Sequence, residues 1–314
     1  MDPKRNFLYD IPNLLAVRVI VFGAGALGSL VGGLLSQKND VTLVGREQHL
    51  KAVREAGLRI TGVTEVVVHP HTKEELDGSE DPELIIVTTK SYNTEEAMRA
   101  LDAFYDKSVF LTLQNGLGNE EIISGFASKV IGGVTSHGVT LEGPGRIYHA
   151  GVGDTILGNY TGAEDRVSDI VKMFNESGIE TQASDDIRKE IWKKVIVNAG
   201  INPITAIARC KNGVLLEDEK LEQDLEEVCR EGVLVANAHG IEIDIEDAIS
   251  MTKEVARLTA GNKSSMLQDI ENGKRTEIDS ICGAISKLGE ERGIPTPVNS
   301  TLVAIVKELE NRSE

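Results

Sequence analysis

The chain has 314 residues, 40% of them hydrophobic and 26% charged, with a formal net charge of −17. That is enough apolar mass for a full core and for more than one domain, and the acidic balance argues against a nucleic-acid partner, whose phosphates the overall field would repel. No apolar run is long enough to cross a bilayer, and the start, Met1-Asp2-Pro3-Lys4-Arg5, lacks the hydrophobic segment and cleavage site of a signal peptide, so a cytoplasmic protein is expected.

Residues 1 to 16 carry no motif and read as an extension ahead of the first strand. Val17 to Phe22 is strand-like, and it runs into Gly23-Ala24-Gly25-Ala26-Leu27-Gly28 and a small-residue helix from Ala26 to about Leu35. In that setting the glycines form a dinucleotide fingerprint. The first allows a tight turn, the second lets backbone approach a pyrophosphate, and the third lets helix pack on sheet. Free amides and the macrodipole at the helix start then favour the diphosphate.

The second strand, Asp40 to Val44, ends in Gly45-Arg46, about where such a unit tests the adenosine ribose. An arginine suits a 2′-phosphate and tips the cofactor toward NADP, while the adjacent Glu47 leaves NAD open. Glu47 to Ala56 reads as a helix, and Leu58 to Ile60 with Glu65 to Val68 as a short strand pair. Leu84 to Thr89 is a continuous apolar strand finishing on Lys90, and Val109 to Leu113 is another finishing on Gln114-Asn115-Gly116. Ligands bind beyond the carboxyl ends of strands in an open parallel sheet, so Gly25, Arg46, Lys90 and Asn115 should share one edge.

Val130 to Val139 and Gly145 to Ile156 are glycine-rich and β-prone. His137 and His149 lie here without a carboxylate at a suggestive spacing, so they read as satisfied strand histidines. From Asp186 the periodicity turns helical, which puts a domain boundary near residue 185, with a Rossmann domain over 1–185 and an all-helical domain over 186–314. In the segment from Arg188 to Asn202, Lys194, Asn198 and Asn202 recur every four positions, presenting an ammonium and two amides on one helix face among apolar neighbours. Asparagine is a poor choice for a solvated helix stripe, and buried amides need polar partners, which a ligand supplies. Asn262 to Ile270 and Thr276 to Asp279 add hydroxyls and carboxylates on segments read as helical, and Val298 to Leu309 reads as a scaffold helix. Cys210, Cys229 and Cys282 match no metal or disulfide spacing.

Taken together, GxGxxG, Thr-Lys90, Gln-Asn115-Gly, Trp192-Lys-Lys194 with Asn198 and Asn202, Asn-Pro203-Ile-Thr-Ala, Lys-Asn212-Gly, and Asn262-x-Ser-Ser265-Met-Leu-Gln-Asp-Ile followed by Thr-Glu277-Ile-Asp closely resemble the ketopantoate reductase family, from about Val17 onward. The resemblance implies reduction of 2-dehydropantoate to (R)-pantoate by NADPH, on the route to pantothenate and coenzyme A. It implies Lys194 as proton donor and Glu277 as a catalytic carboxylate near the nicotinamide. Asn198, Asn202, Asn212, Asn262 and Ser265 become substrate contacts, Asn115 touches both ligands, and Lys90 with the loop reaching Val139 joins the glycine turn as cofactor contacts. Val139 replaces the alanine often found in the family. A homodimer is implied as well. The competing expectations are a related 3-hydroxy acid dehydrogenase and a non-catalytic nucleotide sensor, the latter expected to lack Lys194 or Glu277.

Overall fold

A computed structural model describes residues 16–312, so all but the last residue of the 1–16 extension lies outside the described residues. The N-terminal part comprises β1 (Arg18–Phe22), α1 (Ala26–Leu35), β2 (Asp40–Val44), α2 (Glu47–Ala56), β3 (Leu58–Gly62), β4 (Val66–Val68), β5 (His71–Lys73), β6 (Leu84–Val87), α3 (Thr94–Arg99) and β7 (Val109–Thr112). It continues with α4 (Asn119–Ser124), β8 (Val130–Thr135), β9 (Gly138–Gly143), β10 (Arg146–Gly151), β11 (Thr155–Thr161), α5 (Glu164–Glu176) and β12 (Thr181–Ala183). Helices then follow alone: α6 (Ile187–Ala208), α7 (Glu219–Ala238), α8 (Ile245–Leu258), α9 (Ser265–Glu271), α10 (Cys282–Arg292) and α11 (Pro297–Asn311). None of them is long and apolar enough to cross a membrane. The expected class, a parallel-sheet domain followed by a helical one, is the one observed.

The main sheet has the order β12-β11-β8-β7-β6-β1-β2-β5. β1 is parallel to both β2 and β6, and β6 is parallel to β7, so the chain winds outward in two directions from a switch point between β1 and β6. All four residues of β6, Leu84 to Val87, are buried, as a strand covered by helices on both faces requires. The two β-prone stretches resolve into four strands serving two sheets. β8 and β11 pair antiparallel in the main sheet, while β9 and β10 join β3 and β4 in a small one.

The long helix α6 is seated by two glycines. Cβ atoms built on Gly132 and Gly158 would lie 3.1 and 2.7 Å from Ile187, so its first turn rests directly on β8 and β11. Asp186 caps it, accepting from the Lys189 N–H at 3.1 Å. Fourteen of its residues are buried, and Gly200 lets it approach α7 and α8, since a Cβ there would stand 3.0 Å from both Cys229 Sγ and Thr252 Cγ2. α6 is therefore the axis of the helical core and also its contact with the sheet.

Candidate functional site

The glycine turn has the geometry its sequence calls for. Gly23 has φ +113°, closed to most side chains, and a Cβ there would sit 2.6 Å from the Thr89 nitrogen. Its N–H and that of Ala24 both donate to the Val44 carbonyl at 2.9 Å, tying the turn to β2. A Cβ on Gly28 would collide with the Gly23 carbonyl at 2.3 Å and Thr88 Oγ1 at 2.5 Å, which is the close helix-to-sheet packing expected of the third glycine. By contrast, a Cβ on Gly25 would meet only the Gly23 carbonyl, at 4.0 Å, and α1 begins with no side-chain cap and no acid in its first turn. Gly25, Ala26 and Leu27 thus frame a cradle of open backbone at a positive helix end, which fits a diphosphate.

Arg46 follows β2 on the same edge and is exposed, with no ion pair among the described residues. Its neighbour Glu47 is engaged by Arg54 at 2.7 Å. Val139 lies half-buried on β9, opposite His149, and packs on the N-terminal core.

The ends of β6 and β7 meet the helical domain through Glu277. Its Oε2 accepts from Asn115 Nδ2 at 3.2 Å and from Lys90 Nζ at 3.4 Å, and its Oε1 accepts from the Ser91 N–H at 3.2 Å. Lys90 also pairs with Asp269 of α9 at 2.7 Å. Burial works against the Lys90 charge, but the Glu277 and Asp269 carboxylates outweigh it and raise its pKa. Ser91 and Ser280 hydroxyls lie 2.7 Å apart, and the Leu117 N–H donates to the Ser280 carbonyl at 2.8 Å. Asn115 is itself steadied from behind, because Asn119 Nδ2 donates to its carbonyl at 3.1 Å while Thr94 bonds both Asn119 and Gln114 at 2.9 Å.

One correction concerns local structure. Asn262 and Glu277, read as parts of helical segments, lie on turns: α9 starts only at Ser265 and α10 only at Cys282. Ser264 takes the capping position of α9 and accepts from the Leu267 N–H at 3.1 Å, so the buried hydroxyl is Ser264 and the exposed one Ser265. In the second segment, Thr276 Oγ1 accepts from the Ile278 N–H at 3.2 Å, a local bond that competes with helix.

Lys194 projects from α6 and is half-buried, and its ammonium makes no hydrogen bond or ion pair among the described residues. Burial pushes its pKa down to about 8, against the opposing pull of Glu277 and Glu120. Asn198 is half-buried and Asn202 is 7% exposed, yet neither side-chain amide has a hydrogen-bond partner among the described residues. Asn212 is buried; its Nδ2 donates to Thr259 Oγ1 at 2.9 Å and its Oδ1 is unpaired. The Asn262 carbonyl accepts from the Asn212 N–H at 3.0 Å. Unsatisfied amides beside a lysine are a polar surface short of its partner.

His137 and His149 stay outside this group. They contact each other at 3.0 Å, and His149 Nδ1 meets Thr64 Oγ1 at 2.9 Å. Burial and the neighbouring His149 push His137 down to about 4, so it is neutral at pH 7. Sequence reasoning missed Asp269, Ser91, Ser280 and Glu120. The carboxylate of Asp269, four residues past Ser265, resembled ordinary helix-surface charge; nothing local marks Glu120 as buried.

Residues 19–162 match the model of the ketopantoate reductase PanE/ApbA family, and residues 186–310 match the model of its C-terminal part. The chain belongs to the ketopantoate reductase family. A 2-dehydropantoate 2-reductase of Archaeoglobus fulgidus is 42% identical over 296 residues, covering 94% of this chain and 98% of that relative. One from Halobacterium salinarum is 41% identical over 299 residues, covering 93% and 98%. A solved ketopantoate reductase of Ralstonia eutropha JMP134 superposes with a TM-score of 0.88 at 29% identity, covering 95% of this chain and 99% of that one. D-mandelate dehydrogenase with NADH and anilino(oxo)acetate superposes with a TM-score of 0.90 at 30% identity, with the same coverage. Membership of the ketopantoate reductase family makes the protein an oxidoreductase that acts on a small keto acid.

Proposed function

We propose that the protein reduces 2-dehydropantoate to (R)-pantoate with NADPH, in pantothenate and coenzyme A biosynthesis, with Lys194 as the proton donor. One observation carries the reading. Glu277 of the helical domain is held by Lys90, Ser91 and Asn115 at the carboxyl edge of the sheet, and its charge acts on Lys194. A lysine with no hydrogen-bond or ion-pair partner among the described residues thereby lies within the electrostatic reach of a carboxylate held at the edge where the glycine turn would hold a dinucleotide.

Gly23 to Gly28 would hold the diphosphate of such a cofactor, Arg46 the 2′-phosphate, and Lys90, Asn115, Val139 and Glu277 its nicotinamide half. Bound NADPH supplies a hydride to the carbonyl carbon. As charge builds on the carbonyl oxygen, the Lys194 ammonium stabilises it and then transfers a proton to it. Glu277 keeps the ammonium charged or orients the substrate hydroxyl. Asn115, Asn198, Asn202, Asn212, Asn262 and Ser265 supply amides and a hydroxyl that match the carboxylate and hydroxyl of a 2-oxo acid. In this reading residues 1–185 hold the cofactor and 186–314 contribute the substrate-binding side, in a cytoplasmic homodimer.

A second reading, an NAD-linked 2-hydroxy acid dehydrogenase, is favoured by the likeness to D-mandelate dehydrogenase with NADH. Both are tested by following reduced-cofactor absorbance with 2-dehydropantoate and phenylglyoxylate, each with NADPH and with NADH. The first reading expects fastest turnover with 2-dehydropantoate and NADPH. In Lys194→Ala that turnover should fall at least ~100-fold, the lower end of general-acid effects, with NADPH affinity little changed. Undiminished turnover in the variant rejects Lys194 as donor, and a preference for phenylglyoxylate with NADH selects the second reading.

A further inference from the structure

A proton given up by Lys194 has to be replaced before the next turnover, and a second buried carboxyl stands where it can do this. Glu120, in the first turn of α4, is 2% exposed. Its Cγ packs over Gly132 beside Ile187 and Ile191: a Cβ on Gly132 would lie 3.5 Å from the glutamate carbon and 3.1 and 3.2 Å from the two isoleucines. Ile191 precedes Lys194 by three positions on α6, so carboxyl and lysine share one side of that helix. Among the described residues, no other side chain hydrogen-bonds the Glu120 carboxyl.

Glu120 also lines a cavity of about 210 Å³ that opens to solvent and whose lining includes none of Lys194, Asn198 or Glu277. Glu121, Tyr160, Arg188, Trp192 and His239 complete its polar wall. Tyr160 donates to Glu121, and Arg188 donates to the Tyr160 hydroxyl at 2.6 Å, so these groups satisfy one another and leave Glu120 as the carboxyl without a side-chain partner on that wall.

We propose that Glu120 is a positioning residue that returns a proton to Lys194 after each turnover, drawing it from solvent through this cavity. The inference rests on Lys194 being the donor. Lys194 gives its proton to the alkoxide oxygen; the new O–H bond forms as the N–H bond breaks, and a neutral amine remains. Neutral Glu120 then passes its proton to that amine across one bridging water, restoring the ammonium and becoming a carboxylate. The carboxylate takes up one proton from solvent, so each turnover consumes one solvent proton and this relay moves no electrons.

Charge placement supports the exchange. The charges of Lys194 and Arg188 on α6 and of Glu121 on its own helix act on Glu120, and those of Glu277 and Glu120 act on Lys194. Burial pushes the Glu120 carboxyl up to about 8, so at neutral pH it carries its proton, with an acidity matched to that of the lysine.

The test is Glu120→Gln, which keeps shape and neutrality. In stopped flow the first turnover and the KM of both ligands should be retained, while steady-state turnover falls about tenfold or more and recovers when imidazole is added as a small proton donor. Infrared spectra of the cofactor-free protein at pH 7 should show a protonated-carboxyl band that is lost in the variant. Unchanged steady-state turnover, a first turnover reduced without imidazole rescue, or no such band in the wild type would each overturn the proposal. Should the Gln variant not fold, the wild-type band and imidazole rescue of Glu120→Asp decide instead. An inactive Lys194→Ala beside a fully active Glu120→Gln sinks this proposal alone, whereas an active Lys194→Ala sinks the reading beneath it.

Discussion

Lys90, just beyond β6, donates to Asp269 of α9 at 2.7 Å, so the sheet's ligand edge and the helical domain are joined by an ion pair that also reaches Glu277. The lysine side chain is 37% exposed and the carboxylates 15% and 7%. Removing the cation leaves two largely buried carboxylates facing each other.

Lys90→Met should therefore destabilise the protein by about 1–3 kcal/mol at pH 7 to 8, a discount on the 3–5 kcal/mol of a fully buried broken pair because the lysine is partly hydrated. Burial already raises the Asp269 carboxyl above its ordinary value, and Lys90 is the foremost charge opposing that rise, so without the cation it rises further. The penalty is then present at neutral pH and fades as Asp269 protonates at acid pH. Urea titrations of both proteins at pH 4 and pH 8 measure the difference; an equal loss at both would show that packing, not charge, is at stake.

Arg46→Ala should raise the KM for NADPH about 10- to 100-fold, the 1.5–3 kcal/mol of hydrogen bonds to a charged group, and leave the KM for NADH little changed. Initial rates with the two cofactors give the ratio directly. A parallel loss for both would place the arginine away from the 2′-position.

Two pH-dependent predictions concern the half-buried Lys194. Its pKa, lowered to about 8, means the donor form is lost above that pH, so turnover in the reductive direction should decline there. A cation with a lowered folded-state pKa also costs stability below that value, and the cost lifts as pH rises toward its ordinary value of 10.5. Lys194→Met should accordingly be more stable than wild type at pH 7, by about 1–3 kcal/mol, with the gap closing near pH 10. Melting curves across that range are the check.

Gly28→Ala should destabilise by about 1–3 kcal/mol and impair cofactor binding, because its methyl group would press on the Gly23 carbonyl at 2.3 Å. A thermal shift with and without NADPH separates the two effects. A variant of wild-type stability and affinity would mean that the turn accommodates the methyl.

The sequence revealed most of what is set by local pattern. Gly23, Arg46, Lys90 and Asn115 each end an apolar strand, and parallel pairing of those strands is sufficient to align them. The Lys194, Asn198 and Asn202 face follows from helical period alone. Glu277 follows from the resemblance, and its segment is a turn and not the expected helix because Thr276 Oγ1 takes the Ile278 N–H. Asp269 and Glu120 were missed because a carboxylate on a short helix is normally solvated. What buries them is remote in the chain: Lys90, 179 positions from Asp269, and Gly132 with Ile187 and Ile191 around Glu120.

The seating of α6 has a mechanical consequence. With Ile187 bedded on the bare backbone of Gly132 and Gly158, the start of the helix would be the fixed point of any tilt of α6 against the sheet. At 1.5 Å per residue Lys194 lies about 10 Å along the arm and Asn202 about 22 Å. A rocking of about 10° there would displace the lysine by roughly 2 Å and the far asparagine by roughly 4 Å. Lys194, the proposed donor, would then stay nearly in register with the sheet while Asn202, a proposed substrate contact, sweeps through a wider arc.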